Sequence, residues 1–301
     1  MSSSSTAAVR QLVEKYVSGR FGAASGSASY AVTELAEELG EMPGKQGLSV
    51  FRVSARIADI EYRWIAKRTT AEEAAALTLL HEAQIRSVPE MLAHSGSTEE
   101  HLVLMPEYPG HHGDFGDALP KAIVECLAQI HEHFLLSAPG LPRTDRLSLE
   151  NLFEYSLGSL EIYASSNARR QLSRVKDSLD SFASAARMFP QTLVHWDVHP
   201  GNIILSSDES VLIDWGLARM GPAMIDLANV VPWDSPDFRA YVEACERLSG
   251  RNFDREAGLA EYNWCRAITQ LKYLPFAAKF GSSADVERMA EAAVEYSTGI
   301  A

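Results

Sequence analysis

One stretch of the sequence constrains the chain more than any other. Residues 193–205 read Leu-Val-His-Trp-Asp-Val-His-Pro-Gly-Asn-Ile-Ile-Leu, and residues 211–216 read Val-Leu-Ile-Asp-Trp-Gly. The apolar runs indicate strands, and Asp197, Asn202 and Asp214 lie at or near the strand ends. The pattern therefore predicts that three oxygen-bearing side chains come close to one point.

The spacing His195-x-Asp197-x4-Asn202 indicates the chemistry of this cluster. Asn202 and Asp214 supply the hard oxygen ligands that Mg²⁺ prefers, with phosphate and water completing the coordination shell. A tight turn at Pro200-Gly201 brings Asn202 back toward Asp197, which then lies near the metal without binding it. This is the spacing of a kinase catalytic loop, in which an aspartate accepts the proton of the attacking hydroxyl.

The same segment allows a second interpretation. His195, Asp197 and His199 alternate along the chain, and alternate side chains of a strand share one face, where they could bind zinc in a hydrolase. A zinc hydrolase would leave Lys67 and Asn202 without a role. A non-catalytic nucleotide-binding module is a third interpretation. It is disfavoured because every position expected to carry a catalytic side chain has one.

The rest of the chain divides into a small α+β region and a larger, mainly helical region. The patterns predict a helix over 6–20, strands over 48–54 and 61–67, a helix capped by Thr69 with Glu72 three residues on, and a strand over 101–105. Further helices are predicted over 119–136, 148–165, 169–188 and 262–280. We therefore predict an N-terminal lobe over 1–105, a hinge over 106–110 and a helical C-terminal lobe over 111–301.

Composition narrows the classes of partner. The chain has 27 Lys and Arg against 40 Asp and Glu, a net charge of −13, so it is a poor default binder of nucleic acid or an anionic membrane. Because no run of about 18 apolar residues is present, we expect no transmembrane helix. The N-terminal residues lack a basic segment followed by an apolar one, so we expect no secretory signal. Cys126, Cys245 and Cys265 are widely spaced and form neither a disulfide framework nor a zinc pattern, which favours a cytoplasmic location.

The motif residues resemble the aminoglycoside phosphotransferase and choline-kinase-like family, relatives of the eukaryotic protein kinases. That family's loop commonly reads His-Gly-Asp-x-His-Pro-Gly-Asn, followed by Ile-Asp-Trp or Ile-Asp-Phe, and this sequence departs from it at Trp196. The resemblance implies a two-lobed α+β fold, with a small β-sheet N-lobe that binds nucleotide and a larger helical C-lobe that carries the catalytic loop and the substrate site.

The resemblance also implies an activity. We expect a Mg²⁺-dependent kinase that transfers the γ-phosphate of ATP or GTP to a hydroxyl of an antibiotic, such as an aminoglycoside, or of a related secondary metabolite. A primary metabolite such as a choline-like alcohol, an amino alcohol or a sugar is the alternative acceptor. Asp197 would be the catalytic base, and Asn202 and Asp214 would hold the metal.

The same resemblance assigns residues to the nucleotide. Lys67, at the end of a strand, would hold the α- and β-phosphates with Glu73 as its partner, whereas Glu72 would be a capping residue. Ser49, in the glycine-containing segment 44–53, would contribute its hydroxyl to the phosphates. In the hinge, the Pro106 carbonyl would accept the adenine amino proton and the Tyr108 N–H would donate to the ring, with Met105 behind the base.

Other residues are expected to support the site. By resemblance Asp226 braces the catalytic loop through backbone hydrogen bonds, and His195 and His199 are expected to organise the loop. Trp64 and Trp215 are expected in the core. The region 148–188 and the chain after Pro232 would line the acceptor, where acidic residues would either meet an amine-bearing substrate or form a solvated helical surface; they are Asp234, Asp237, Glu243, Glu246, Asp254, Glu256 and Glu261.

Overall fold

The computed structural model describes residues 2–22, 26, 28–35, 49–96, 101–113, 118–163, 166–177, 179–207 and 209–297. The chain forms two compact units. The first comprises Met1–Gly113 and Ile203–Leu217, and the second comprises Asp114–Asn202 and Ala218–Ala301. The segment Ile203–Leu217, which the sequence analysis assigns to the helical region, thus belongs to the first unit; the lobe and hinge boundaries stay predictions.

The first unit is built on a five-stranded antiparallel sheet in the order β1-β2-β3-β5-β4. Its strands are β1 (Ser29–Leu35), β2 (Val50–Ile57), β3 (Ile60–Thr69), β4 (Ala93–Gly96) and β5 (His101–Pro106). Strand β2 shows the alternation of a half-buried strand, because Phe51, Val53, Ala55 and Ile57 all point into the core. The three predicted strands are confirmed, while β1 and β4 carry too few buried side chains to stand out in the sequence.

Helix α1 (Ser2–Phe21) completes the core of this unit. Its buried residues Val9, Leu12, Val13 and Val17 recur at helical spacing and belong to the same hydrophobic cluster as Trp64 and the β2 side chains. The predicted helix over 6–20 is therefore confirmed. Trp64 is also confirmed as a core aromatic, and Trp215 is fully buried in the same unit.

Helix α2 (Ala71–Glu82) begins one residue later than predicted. Its N-cap is Thr70, not Thr69, and the Thr70 hydroxyl accepts from the N–H of Glu73 at 3.2 Å. Thr69 cannot cap the helix because it is still part of β3, where it pairs with His101 of β5. The strand ends at Thr69, Thr70 caps the helix, and the helix begins at Ala71.

A small three-stranded sheet, in the order β6-β8-β9, also belongs to the first unit. It consists of β6 (His111–His112), β8 (Ile203–Leu205) and β9 (Ser210–Leu212), all antiparallel. The strand pair β8–β9 is the one that the apolar runs around Asn202 and Asp214 predict. It places Asp214 two residues beyond the end of β9.

The second unit is mainly helical. It contains α3 (Lys121–His133), α4 (Arg146–Tyr163), α5 (Ser166–Asp177), α6 (Leu179–Met188), α7 (Pro236–Ser249), α8 (Arg255–Phe280) and α9 (Ser283–Ser297), with the antiparallel pair β7 (Gln191–Val194) and β10 (Arg219–Pro222). The segment predicted as one helix over 169–188 comprises α5 and α6, on either side of residue 178. Helix α8 is capped by Asp254, whose carboxylate accepts from the N–H groups of Glu256 and Ala257.

These two units confirm the predicted α+β class, with a small antiparallel sheet and a larger helical part. Cys126, Cys245 and Cys265 are all buried and none is disulfide-bonded. Within the described ranges, no helix is long and apolar enough to cross a membrane.

Candidate active site

The first unit gathers three charged side chains around Lys67. The Lys67 ammonium lies 2.7 Å from Glu73 Oε1 and 2.8 Å from Asp214 Oδ1. Lys67 is on β3, Glu73 is in the first turn of α2, and Asp214 follows β9, so three separate elements meet here. The side chain of Glu73 is only 2% exposed, whereas that of Asp214 is 30% exposed. The structure therefore brings the three predicted residues together and selects Glu73 over Glu72 as the partner of Lys67.

Local structure holds both carboxylates in place. Glu73 sits at the N-terminus of α2, where the helix dipole stabilises a negative charge, and its Oε2 accepts a hydrogen bond from the Thr69 hydroxyl. Asp214 has a left-handed backbone, with φ of 65°. The indole of Trp215 donates to the Leu212 carbonyl at 3.0 Å and fixes this turn at the end of β9.

The charges of this cluster determine its protonation. Burial lowers the pKa of Lys67, but the carboxylates of Glu73 and Asp214 outweigh burial, so the pKa is raised above its ordinary value. One ammonium faces two carboxylates, which leaves the cluster with a formal charge of −1. Such a cluster presents a fixed, charged N–H donor beside a partly exposed carboxylate, two groups whose chemistry suits phosphate oxygens and a hard cation respectively.

In the second unit, Asp197 lies on the loop that follows β7, and its two carboxylate oxygens have different numbers of hydrogen-bond donors. Oδ1 lies 2.6 Å from the Lys272 ammonium and 2.7 Å from the Tyr273 hydroxyl. Oδ2 lies 3.3 Å from Asn202 Nδ2 and 3.7 Å from His199 Nε2, the latter longer than a hydrogen bond. Burial raises the pKa of Asp197, but His199, Lys272 and Tyr273 together hold it well below its usual range.

Asp226 braces the loop that carries Asp197. Its carboxylate accepts from the backbone N–H of His195 at 2.8 Å and of Trp196 at 2.7 Å. The carboxylate also contacts His131 Nε2 at 3.2 Å, and His131 Nδ1 contacts the Tyr241 hydroxyl at 2.8 Å. All of these groups are buried, so the loop is tied to α3 and α7 through one carboxylate. The predicted bracing role of Asp226 is confirmed.

The two loop histidines also hold backbone groups. His195 is fully buried and its Nδ1 accepts from the N–H of Asp197 at 3.2 Å. His199 Nδ1 accepts from the N–H of Gly201 at 3.0 Å, within the turn that leads to Asn202. Both are therefore loop organisers, as predicted. The zinc-hydrolase interpretation is wrong, because the alternating residues lie on a loop rather than a strand, and no group of three such side chains in the described parts of the chain could hold a metal ion.

Trp196, the departure from the family motif, is accommodated by its surroundings. Its φ is 69°, in the left-handed region that favours glycine. The indole is buried and lies beneath the Arg219 guanidinium, 4.6 Å from the ring centroid. A Cβ on Gly221 would come within 3.2 Å of the indole, so the small residue on β10 makes room for the large one on the loop.

The hydrogen bonds of Asn202 determine which end of its amide stays available. Its amide nitrogen donates to the Asp197 carbonyl at 2.9 Å, which directs the Nδ2 side of the amide toward the loop. The other end of the amide, Oδ1, is the atom with lone pairs for a hard cation. In the first unit, Asp214 offers a carboxylate of the same chemical class.

The predicted nucleotide residues flank the strand that carries Lys67. Ser49 precedes β2, and its carbonyl accepts from the Arg68 N–H at 3.0 Å; residues 44–48 of the predicted loop lie outside the described residues. Pro106 ends β5 opposite Trp64. The Tyr108 hydroxyl accepts from the Glu90 N–H at 2.8 Å. Strands β2 and β5 pair with opposite sides of β3, so Ser49 and Pro106 lie on opposite sides of it.

The acidic residues after Pro232 are mostly bound within the helical unit itself. Asp237 accepts from the Leu119 N–H at 2.7 Å, and Glu246 accepts from the Phe253 N–H at 2.8 Å. Asp254 caps α8, Asp234 forms an ion pair with Arg255, and Glu261 accepts from the buried Met224 N–H at 3.0 Å. Burial raises the pKa of Glu261 to about 7. Each of these five carboxylates therefore has a partner within the helical unit, although only Glu261 is buried.

Lys272 and Tyr273 are the site residues that the sequence analysis missed. They are neighbours on α8, about 75 positions from Asp197, and belong to no motif. One signal could have indicated them: Lys272 is a charged residue in an otherwise largely apolar stretch that includes Ala267, Ile268, Leu271, Leu274 and Ala278. A lysine within a buried helix needs an anionic partner, although the sequence does not say which one.

Comparison with known proteins identifies the family. Residues 50–262 match the family model described as the phosphotransferase enzyme family, APH. The chain belongs to this family. The match confirms the resemblance seen in the motif and the predicted enzyme class, a phosphotransferase. Among curated proteins, none matches the sequence.

Solved structures share the fold at low identity. A spectinomycin phosphotransferase in complex with ADP and spectinomycin is 15% identical, with a TM-score of 0.51 over 88% of each chain. The ethanolamine kinase of Plasmodium vivax is 13% identical, with a TM-score of 0.55 over 95% of this chain and 87% of the kinase. The macrolide 2'-phosphotransferase of Brachybacterium faecium is 18% identical, with a TM-score of 0.51 over 87% and 91%. The predicted protein-kinase-like fold is confirmed.

Proposed function

We propose that this family member transfers the γ-phosphoryl group of ATP or GTP to a hydroxyl of a small molecule, with Asp197 as the base. The observation that carries the proposal is the Lys67 ammonium held at 2.7 Å from Glu73 and 2.8 Å from Asp214. A purely structural lysine has no need of two carboxylates from distant elements, whereas phosphoryl transfer needs a fixed ammonium and a metal-binding carboxylate.

The nucleotide would be held by the first unit. The Lys67 ammonium would donate to the α- and β-phosphates, and the Ser49 hydroxyl would add a further donor. The Pro106 carbonyl and the Tyr108 N–H would bind the adenine edge. That a structure of the same fold contains ADP supports a nucleotide donor.

Asp214 and Asn202 are the proposed magnesium ligands. Both offer hard oxygen atoms, and the hydrogen bonds of the Asn202 amide nitrogen leave its carbonyl oxygen as the ligand atom. When bound, Mg²⁺ would neutralise the negative charge that develops on the phosphate oxygens.

The reaction step follows from the roles of the side chains. The acceptor oxygen forms a bond to the γ-phosphorus, the bond between that phosphorus and the β–γ bridging oxygen breaks, and the nucleoside diphosphate leaves. The hydroxyl proton passes to Asp197. Positioning and electrostatic stabilisation dominate such a step, so the Asp226 brace and the rigid loop contribute directly to the rate.

The proposed acceptor is an antibiotic or a related secondary metabolite, with an aminoglycoside among the candidates. A primary metabolite, such as an amino alcohol or a sugar, is the second candidate, because proteins of this fold include an ethanolamine kinase as well as antibiotic phosphotransferases. The internal bonds of Asp234, Asp237 and Glu261 lend support to this second candidate, since they reduce the acidic surface open to a polyamine. For either acceptor we expect a cytoplasmic enzyme without nucleic-acid or membrane partners.

A nucleotide-consumption screen tests the proposal. The purified protein is incubated with MgATP or MgGTP and a panel of hydroxylated antibiotics, amino alcohols and sugars, and mass spectrometry follows the gain of one phosphate. We expect at least one acceptor to gain a phosphate, and the Asp197→Asn variant to produce none. Nucleotide binding without any phosphorylated product across the panel would instead support a non-catalytic nucleotide-binding module.

A further inference from the structure

We infer that Lys272 and Tyr273 of α8 are positioning residues that bind Asp197 Oδ1 and thereby reserve Oδ2 for the acceptor hydroxyl. The inference rests on the proposed function, because it assigns the orientation of the same base. It adds two residues from outside the motif, and it specifies which carboxylate oxygen receives the proton.

The contacts of Oδ1 carry the first step. A carboxylate oxygen has two lone pairs, and at Oδ1 the Lys272 ammonium, at 2.6 Å, and the Tyr273 hydroxyl, at 2.7 Å, use both of them. Lys272 also donates to the Trp196 carbonyl, so its ammonium joins the side chain of the base to the backbone of the loop. The Lys272 and Asp197 side chains are only 14% and 12% exposed, which makes this ion pair largely shielded from water.

The contacts of Oδ2 carry the second step. Among the described residues, its one hydrogen-bond donor is Asn202 Nδ2, at 3.3 Å, a longer distance than either contact of Oδ1. His199 Nε2 lies beyond hydrogen-bond distance at 3.7 Å. Oδ2 therefore keeps lone-pair capacity for a substrate O–H, whereas Oδ1 has none left.

The arrangement also explains why the aspartate can stay in one rotamer. An aspartate side chain has two rotatable bonds, and a base must be held within hydrogen-bond reach of one particular proton. Backbone bonds to Asp226 fix the loop, but they do not fix the side-chain torsions of Asp197. The two donors on α8 fix those torsions from the other side of the carboxylate.

The test compares three variants with a matched control in the full-length protein. Lys272→Met removes both donations of the ammonium, Tyr273→Phe removes one hydroxyl and keeps the ring, and Lys272→Arg keeps the charge. Lys279→Met is the control, because Lys279 is an exposed lysine on the same helix, seven residues further on. The steady-state kcat and KM of each are measured with MgATP and an acceptor that the screen has shown to be phosphorylated.

We expect kcat to fall about 100-fold in Lys272→Met and about tenfold in Tyr273→Phe, with the KM for MgATP within about twofold of the parent value. Lys272→Arg should recover most of the lost kcat, and Lys279→Met should behave like the parent protein. Each kcat is expressed per folded enzyme, with the folded fraction measured by circular dichroism, because a smaller folded fraction alone would also lower the apparent kcat. A loss of kcat per folded enzyme that leaves KM unchanged and that Lys272→Arg recovers is a readout that a merely structural role would not produce.

The outcomes separate this inference from the proposed function. If the parent protein phosphorylates an acceptor and Asp197→Asn does not, while Lys272→Met and Tyr273→Phe keep the parent kcat, the positioning role is overturned and the kinase proposal stands. If the parent protein phosphorylates no acceptor, both are overturned. Should Lys272→Met fail to fold, Tyr273→Phe decides alone, because it loses one oxygen atom and leaves no cavity beneath the ring.

Discussion

The two charged clusters of the candidate site differ in the sign of the group that is held in place. In the first unit one ammonium, that of Lys67, is held by two carboxylates, Glu73 and Asp214. In the second unit one carboxylate, that of Asp197, is held by an ammonium and a hydroxyl, from Lys272 and Tyr273. Each cluster has one group fixed by two partners, and the fixed group is the one to which the proposed reaction assigns a contact with substrate.

The two clusters also differ in net charge, because Lys67 has two anionic partners whereas Asp197 has one cationic and one neutral partner. The Lys67 cluster has one more negative than positive charge, which suits a site for magnesium and a polyphosphate. The Asp197 cluster is balanced by Lys272, so the base is ionised without a strong repulsive field against the incoming phosphoryl group. The comparison predicts that removing the fixed group of each cluster costs more activity than removing one of its partners.

The largest effect is expected from Asp197→Asn. The amide cannot accept the hydroxyl proton, so kcat should fall by about a thousandfold, within the range of general-base contributions. The affinity for MgATP, measured by calorimetry, should stay within about threefold, because no nucleotide contact is assigned to Asp197. Equal losses of kcat and of nucleotide affinity would contradict the role given to this residue.

Lys67→Met should have the next largest effect. It removes the ammonium assigned to the α- and β-phosphates and leaves the buried Glu73 carboxylate without its partner, so we expect about a 100-fold loss of kcat/KM for MgATP and a lower melting temperature. Adding Glu73→Gln should restore most of the melting temperature but none of the activity, as measured by calorimetry and the coupled kinase assay. Recovery of both together would show that Lys67 acts only on stability.

A smaller effect is expected from Glu73→Gln alone, with Glu72→Gln as the matched control. The two residues are adjacent in the first turn of α2, yet Glu73 is buried against Lys67 whereas Glu72 is not. We expect about a tenfold loss of kcat/KM for Glu73→Gln, because Lys67 loses one of its two charged partners, and a change of less than twofold for Glu72→Gln. Similar losses in both variants would point to the helix terminus rather than to the ion pair.

The two clusters also differ in how much of them the sequence could predict. Lys67 and Glu73 are six positions apart, a strand-to-helix connection joins them, and the motif around Asp214 supplies the third member. The loop from His195 to Asn202 was also predictable, because its hydrogen bonds join residues that are close in the sequence. The brace from Asp226 came from the resemblance, not from the spacing of residues.

Long-range packing decided what the sequence could not predict. Lys272 and Tyr273 reach Asp197 only because α8 runs past the loop, and no local pattern encodes which side of a helix meets a loop about 75 residues away. The cap of α2 moved from Thr69 to Thr70 because pairing with β5 kept Thr69 in the strand. Acidic residues that look solvated in the sequence, such as Glu261, are recruited by buried backbone N–H groups once the helices pack.

The smallest effect on activity, and a distinct effect on stability, is expected from Glu261→Gln. The pKa of Glu261 is raised from 4.5 to about 7 by burial, so the folded protein holds this proton at pH values where the unfolded chain has released it. The favourable contribution is therefore fully present below about pH 4.5 and is lost as the pH rises toward 7. Glutamine keeps an oxygen for the Met224 N–H and carries no charge, so it removes this loss.

The free energy of unfolding of Glu261→Gln should rise relative to the parent protein between pH 4.5 and 7.5, by up to about 3 kcal/mol, and stay constant above that range. Urea denaturation at a series of pH values measures the difference. The control is Glu256→Gln, an exposed carboxylate on the same helix, which should show no such rise. A parallel rise in both variants would mean that net charge, rather than the buried carboxyl group, sets the pH dependence of the helical unit. An unchanged kcat in Glu261→Gln would in turn separate the carboxylates that hold this unit together from Asp197, the one to which we assign the proton.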